Sequence, residues 1–175
     1  MGILMNESLG ISTQNTKLHF ATTDRSHYQL LACIFRYPES EYFFQLTQCQ
    51  DFLSTHYPEA ANILLSFTTY ANETSLQELQ ELYTRAYDVQ SICSLDIGYN
   101  LFGEDYKRGA FLVQMNKEQN TAQNDCRGEL SDYLPNVLTL MAKTKDEEFL
   151  TDFVEEMLQP ALKKMIANFI PATIE

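Results

Sequence analysis

The sequence has no run of about 18 apolar residues, which excludes a helix that crosses a membrane. The segment Met1 to Phe20 carries one Lys and no continuous apolar stretch ahead of a small-residue cleavage site, so no secretory signal is expected. Residues 1–23, polar and rich in Asn, Ser and Thr, read as a flexible tail. Basic residues are scarce: 12 Lys and Arg stand against 24 Asp and Glu, a net charge of −12. Phosphate backbones need clustered cations that release counterions, so nucleic acid is excluded as a partner. The same field favours a basic peptide.

Histidine is scarcer still, with His19 in the tail, His27 at a helix start and His56 at a helix end. None neighbours a nucleophile in a recognisable elbow, and no E-x-x-H pair supports a di-iron bundle. No glycine-rich loop of the kinds that cradle phosphate occurs. The four cysteines, Cys33, Cys49, Cys93 and Cys126, form no C-x-x-C pair and no zinc spacing. They read as reduced thiols of a cytoplasmic protein, with Cys93 and Cys126 in loops and open to reaction. The chain is therefore expected to be neither an enzyme nor a resident metal protein.

Period-two alternation and Asn-Gly or Asp-Gly turns are missing too, so strands are not expected. Helical spacing is present instead. The first helix is expected over Asp24–Tyr37, capped by Asp24 or Ser26 and stopped by Pro38. A second starts near Glu39 with Tyr42, Phe43, Leu46, Cys49 and Leu53 on one side. A third, Pro58 to about Ala71, groups Ala61, Leu64, Leu65 and Thr68. Ser75-Leu76-Gln77-Glu78 is a capping box ahead of the stripe Leu76, Leu79, Leu82, Tyr83, Ala86 and Tyr87.

After a loop from Val89 to Asn100, room for one short turn of helix, a helix is expected over Gly103–Asn116. Its inward face would be Tyr106, Gly109, Ala110 and Val113, with Gly109 marking close packing. Lys117 to Gly128 reads as an exposed, mobile loop. Ser131 or Asp132 would cap the next helix, whose buried stripe is Tyr133, Leu134, Val137, Leu138 and Met141. Lys143 and Lys145 then complement its dipole. The last pattern, Asp146 to about Ile170, runs through Phe149, Phe153, Val154, Met157, Leu158, Ala161, Leu162, Met165, Ile166 and Phe169. Pro160 makes it a kinked helix or two consecutive ones, and Pro171 closes it. The expected fold is all-α, a single-domain bundle of six to eight helices over 24–171, monomeric or a homodimer that exchanges helices about 117–128.

The charged, aromatic part of the chain lies between Leu76 and Ala142. Asp96, Glu104, Asp105, Glu129 and Asp132 are interleaved with Tyr87, Tyr99, Phe102, Tyr106 and Tyr133, and Arg108 is basic among them. Such a set suits a peptide that carries Arg or Lys beside apolar residues. From spacing alone, core aromatics and capping acids are the favoured explanation.

Three segments here carry a likeness. Leu82-Tyr83-Thr84-Arg85-Ala86-Tyr87-Asp88 resembles the Tyr…Phe-Asp helix end of the NarJ/TorD/DmsD family of redox-enzyme maturation chaperones, with Tyr87 in the Phe position. Phe102-Gly103-Glu104-Asp105-Tyr106-Lys107-Arg108-Gly109 is similar to its His-Gly-Glu…Arg-Gly segment. Glu129-Leu130-Ser131-Asp132-Tyr133-Leu134-Pro135 is similar to its Glu-Leu-Pro-Asp-His-Leu-Pro signature. The likeness is nearest the nitrate-reductase delta-subunit, NarJ-like, branch and covers about His27 to Phe169. Phe102 and Tyr133 stand where the family has His, and Ser131 where it has Pro, so no histidine role carries over.

The resemblance implies an all-helical cytoplasmic chaperone without catalytic activity. Such a protein holds the apo catalytic subunit of a molybdopterin oxidoreductase, often by its N-terminal twin-arginine or remnant signal segment, until the molybdenum cofactor is inserted. It implies no stably bound cofactor, transient contact with the molybdopterin cofactor being the exception it allows. The client-binding residues it points to are Tyr83, Tyr87, Asp88, Tyr106, Arg108, Gly109, Glu129, Asp132, Tyr133, Leu134 and Pro135. Tyr83, Tyr87, Tyr106 and Tyr133 would line a groove, and Asp132 would pair with the client's basic residues. The rival reading is a helical adaptor for another protein, with no part in cofactor insertion.

Overall fold

A computed structural model describes residues 25–89 and 91–170. The tail 1–23, the cap Asp24 and the stop Pro171 lie outside them. Eight helices follow one another, and the described residues contain no strand, only an isolated antiparallel bridge between Asp96 and Tyr133. They are α1 (His27–Ile34), α2 (Tyr42–His56), α3 (Pro58–Asn72), α4 (Leu76–Tyr87), α5 (Ile97–Phe102), α6 (Tyr106–Thr121), α7 (Leu134–Lys143) and a last rod of three parts. The rod is α8 (Glu147–Phe153), a π-helical turn (Val154–Leu158) and α9 (Gln159–Ala167). An all-α bundle is what the patterning predicts. Among the described residues no helix is long and apolar enough to cross a membrane.

Two packed regions divide the interior. The larger joins Ala32 of α1, Leu95 and Ile97, Phe111 and Met115 of α6, the apolar face of α7, and Leu150, Phe153, Leu158 and Ala161 of the rod. The smaller is built on the α2–α3 hairpin, where Tyr42 and Leu46 meet Ala71 and, from α4, Leu79, and Cys49 and Leu53 meet Ala61. α1 lies between the two and packs on both α2 and α7. The capping box on α4 forms as expected: Ser75 accepts from the Glu78 N–H and the Glu78 carboxylate accepts from the Ser75 N–H at 3.0 Å.

Several elements depart from the pattern. α1 is shorter than expected, ending at Ile34 before Pro38, and Ser26 stands at its N-cap without a side-chain capping bond. Leu65 of α3 is half exposed, as are Ile166 and Phe169. α6 starts at Tyr106 because Asp105 caps it, and it runs on to Thr121. Its inward face is Phe111, Met115 and Gln119, whereas Tyr106 is 83% exposed and Val113 72%. Gly109 faces open space and marks no close packing. The segment 117–128 is thus half helix, and Gln119 and Asn124 within it are buried, so it is no free loop.

Pro160 neither breaks nor splits the last helix. The π turn just before it widens the rod, and the Gln159 N–H donates to the Val154 carbonyl. Proline has no N–H to give and crowds the carbonyl four residues back, so a register change there relieves the clash.

Candidate functional site

α4 delivers two tyrosines to the centre of the molecule. Its stripe buries Leu79 and Ala86 and leaves Tyr83 and Tyr87, on the same side one turn apart, partly open. The Tyr83 hydroxyl lies 2.6 Å from that of Tyr133, and both also reach the Phe35 carbonyl, at 3.3 and 3.4 Å. This contact ties α4, the end of α1 and the start of α7 at one point. Tyr37 packs edge-on against Tyr83, Tyr83 against Tyr87, and Tyr87 against Phe169, an arrangement aromatic quadrupoles favour.

In front of these rings lies a groove of about 980 Å³, bounded by α1, the 36–41 turn, the end of α4, residues 94–96, the 124–129 loop and α7. Of the expected client-binding residues, Tyr83, Tyr87, Asp88, Glu129 and Tyr133 line it together. Glu39 and Glu41 add two further carboxylates. None of Glu39, Glu41, Asp88 and Glu129 has an ion-pair partner among the described residues. The phenols are held neutral: burial pushes Tyr83 and Tyr133 upward, and Glu129 beside each adds to the rise.

The remaining expected residues lie elsewhere. Tyr106 and Gly109 are on the outer face of α6. Leu134 and Pro135 are buried in the first turn of α7 as core. Asp132 is 0% exposed, and its Oδ2 accepts from the Gly98 N–H at 2.8 Å while its carbonyl accepts from Ile97 N–H at 3.0 Å. Neither Ser131 nor Asp132 caps α7; Asp132 instead satisfies the N-terminus of α5 across 34 residues of chain. An enclosed carboxylate cannot pair with a client's arginine, so the expected role of Asp132 is corrected to a structural one.

Arg108 is likewise turned inward. It pairs with Asp96 at 3.1 Å, and its guanidinium sits 5.3 Å from the centre of the Tyr99 ring. Burial raises the Asp96 carboxyl, with Arg108 opposing the rise, and burial also raises Asp132, where the Gly98 N–H opposes it. Arg108 thus steadies Asp96, which lines the groove, and Asp132 holds the start of α5.

All four cysteines are free thiols. Burial pushes Cys49 up to about 11 and raises Cys93 and Cys126 as well, so the two loop cysteines are not activated. Among the described residues no three His, Cys, Asp or Glu converge where a metal ion would sit.

Residues the patterning did not single out complete the site. Gly98 touches the Asp132 carboxylate, and a Cβ there would lie 2.7 Å from Oδ2 and 2.8 Å from the Phe111 ring. Gln119, Asn124 and Asn136 are buried amides joined in one network. Their signal was available as polar residues at apolar positions, Gln119 one stride after Phe111 and Met115, and Asn136 inside the α7 stripe. Protein-family models and curated proteins were compared with the chain, and neither gives a match.

Proposed function

We propose that this chain is a cytoplasmic maturation chaperone of the NarJ/TorD/DmsD kind. It binds the N-terminal, twin-arginine-like segment of the apo catalytic subunit of a molybdenum oxidoreductase, nitrate-reductase-like, and assists insertion of the molybdenum cofactor. The observation that carries the reading is the groove: tyrosines from one signature segment and Tyr133 and Glu129 from another face it together, beside carboxylates with no cation of their own. A basic, apolar segment offers what these groups lack. Its arginines would donate charge-assisted hydrogen bonds to Glu129, Asp88, Glu39 and Glu41, and its apolar side chains would lie against the rings. The protein contributes binding and shielding here, and no group of it is asked to break a bond.

Titration of the full chain with a labelled peptide containing an Arg-Arg pair amid leucines tests this. Affinity is expected to fall as salt is raised past the physiological range, because the carboxylates are exposed. The double variant Asp88→Asn, Glu129→Gln is expected to weaken binding roughly three- to tenfold at low salt. Binding unaffected by both salt and the double variant would remove these carboxylates from the site.

A further inference from the structure

Charge in the groove is not evenly spread. α7 runs along one wall, with Tyr133 just before its first turn and Lys143 at its end, about 15 Å apart at ~1.5 Å per residue. Glu129 and Asp88 both act on the Tyr83 phenol, so negative charge gathers at the tyrosine end. Arg36 bonds Asn136 in the first turn of α7 and so stands near the tyrosines, whereas Lys143 bonds Asn124 at the far end, where Asp125 and Lys143 act oppositely on the Cys126 thiol.

Neither cation has a carboxylate within 4.0 Å among the described residues. Arg36 Nη2 donates to Asn136 Oδ1 at 3.2 Å, and Lys143 Nζ donates to Asn124 Oδ1 at 3.0 Å and the Gln123 carbonyl at 3.4 Å. The amides that hold them are themselves fixed. Asn136, 0% exposed, donates to the Cys126 and Leu130 carbonyls, and Asn124 donates to Gln119 Oε1 and the Asn136 carbonyl. Asp125 is close by, but its Oδ1 accepts from the Arg127 N–H at 2.8 Å and pairs with neither cation. The loop between them carries Gln123 and Arg127 in the left-handed region, at φ 51° and 55°, a conformation that costs non-glycine residues energy. Buried polar groups and a strained loop thus hold Lys143, without an ion-pair partner, at one end of a groove that Asp125 and Arg127 also line.

Resting on the peptide-binding reading, we infer that the groove recognises charge order: the bound segment sets its basic residues at the tyrosine end and an acidic side chain at the Lys143 end. About four or five residues of extended chain span the distance. A purely basic segment would leave Lys143 unanswered and bring its own positive charge toward it.

Three labelled peptides share an Arg-Arg pair among leucines and differ at one site on each side, about five residues away. One has Asp on the C-terminal side, one has Asp on the N-terminal side, and one has Asn at both. With the full chain, one Asp peptide is expected to bind roughly three- to tenfold more tightly than the Asn peptide. Lys143→Gln, at an exposed position, should erase much of the ratio between the Asp and Asn peptides, and Lys143→Glu should turn it into a preference for Lys at the same site. Equal binding of all three peptides would overturn charge-order recognition and leave the peptide groove standing. Failure of all three to bind would remove the groove reading, and this inference with it. An Asp advantage that persists in Lys143→Gln would place the acid elsewhere and also overturn the inference.

Discussion

The carboxyl group of Asp132 is fully enclosed, yet only Oδ2 has a hydrogen-bond partner, and Oδ1 has none among the described residues. Burial raises its pKa, and the nearby Asp96 carboxyl adds to the rise. The folded state therefore holds this proton more tightly than the unfolded chain, where an aspartate titrates near ~4. The sign follows: the stability contributed by protonation is fully present below the unfolded value and is lost as pH rises through the raised folded one. Chemical denaturation from pH 4 to 8 should thus show wild type losing stability relative to Asp132→Asn as pH increases. At neutral pH the Asn variant keeps an acceptor for Gly98 and should lie within about 1 kcal/mol of wild type. Asp132→Ala leaves the Gly98 N–H buried and unpaired and should cost about 1–3 kcal/mol. Parallel pH profiles for wild type and Asp132→Asn would show that Asp132 does not titrate in this window.

Among the elements, α5 and α6 are where glycine has opposite meanings. Gly98, in the first turn of α5, has Asp132 and Phe111 against it, so Gly98→Ala must push backbone or ring aside and should cost about 1–3 kcal/mol. Gly109 lies on the open face of α6 with nothing near it, so Gly109→Ala should stabilise by up to about 1 kcal/mol through helix propensity. Urea midpoints measured side by side check both signs. The sequence pattern points to the other face of α6, because Tyr106, Ala110 and Val113 are apolar at helical spacing. It misses that Asp105 caps the helix, which sets where it begins, and that a buried Gln119 belongs to the inward stripe. Where apolar residues outnumber the positions the core has room for, periodicity alone does not choose between two faces. In α7, where Leu134, Val137, Leu138 and Met141 leave no second stripe, the burial follows the pattern. The π turn ahead of Pro160 is legible only as a disturbance, since proline announces a missing donor but not how the chain absorbs it.

At the level of the whole molecule, helices distant in sequence bring part of the expected site together. Tyr83, Tyr87, Asp88, Glu129 and Tyr133 meet on one groove, and each was legible as an aromatic or acidic residue near a helix end. Arg36 and Lys143 were not, because a cation held by side-chain amides distant in sequence leaves no mark on local spacing. Asp132 and Arg108 were legible as charged residues but not as inward ones, for burial of a charge depends on partners that only the fold supplies. Much of the charge that makes the surface acidic lies outside the groove, so the claim about function rests on the partner and not on charge alone. An anaerobic pull-down with the full chain as bait, from native extract in which molybdenum cofactor synthesis is blocked, tests that claim most directly. The account predicts a large molybdopterin oxidoreductase subunit among the co-purifying chains, enriched over extract with cofactor synthesis intact. Stoichiometric capture of an unrelated protein, with no such subunit under the block, would contradict it and leave the chain a helical adaptor.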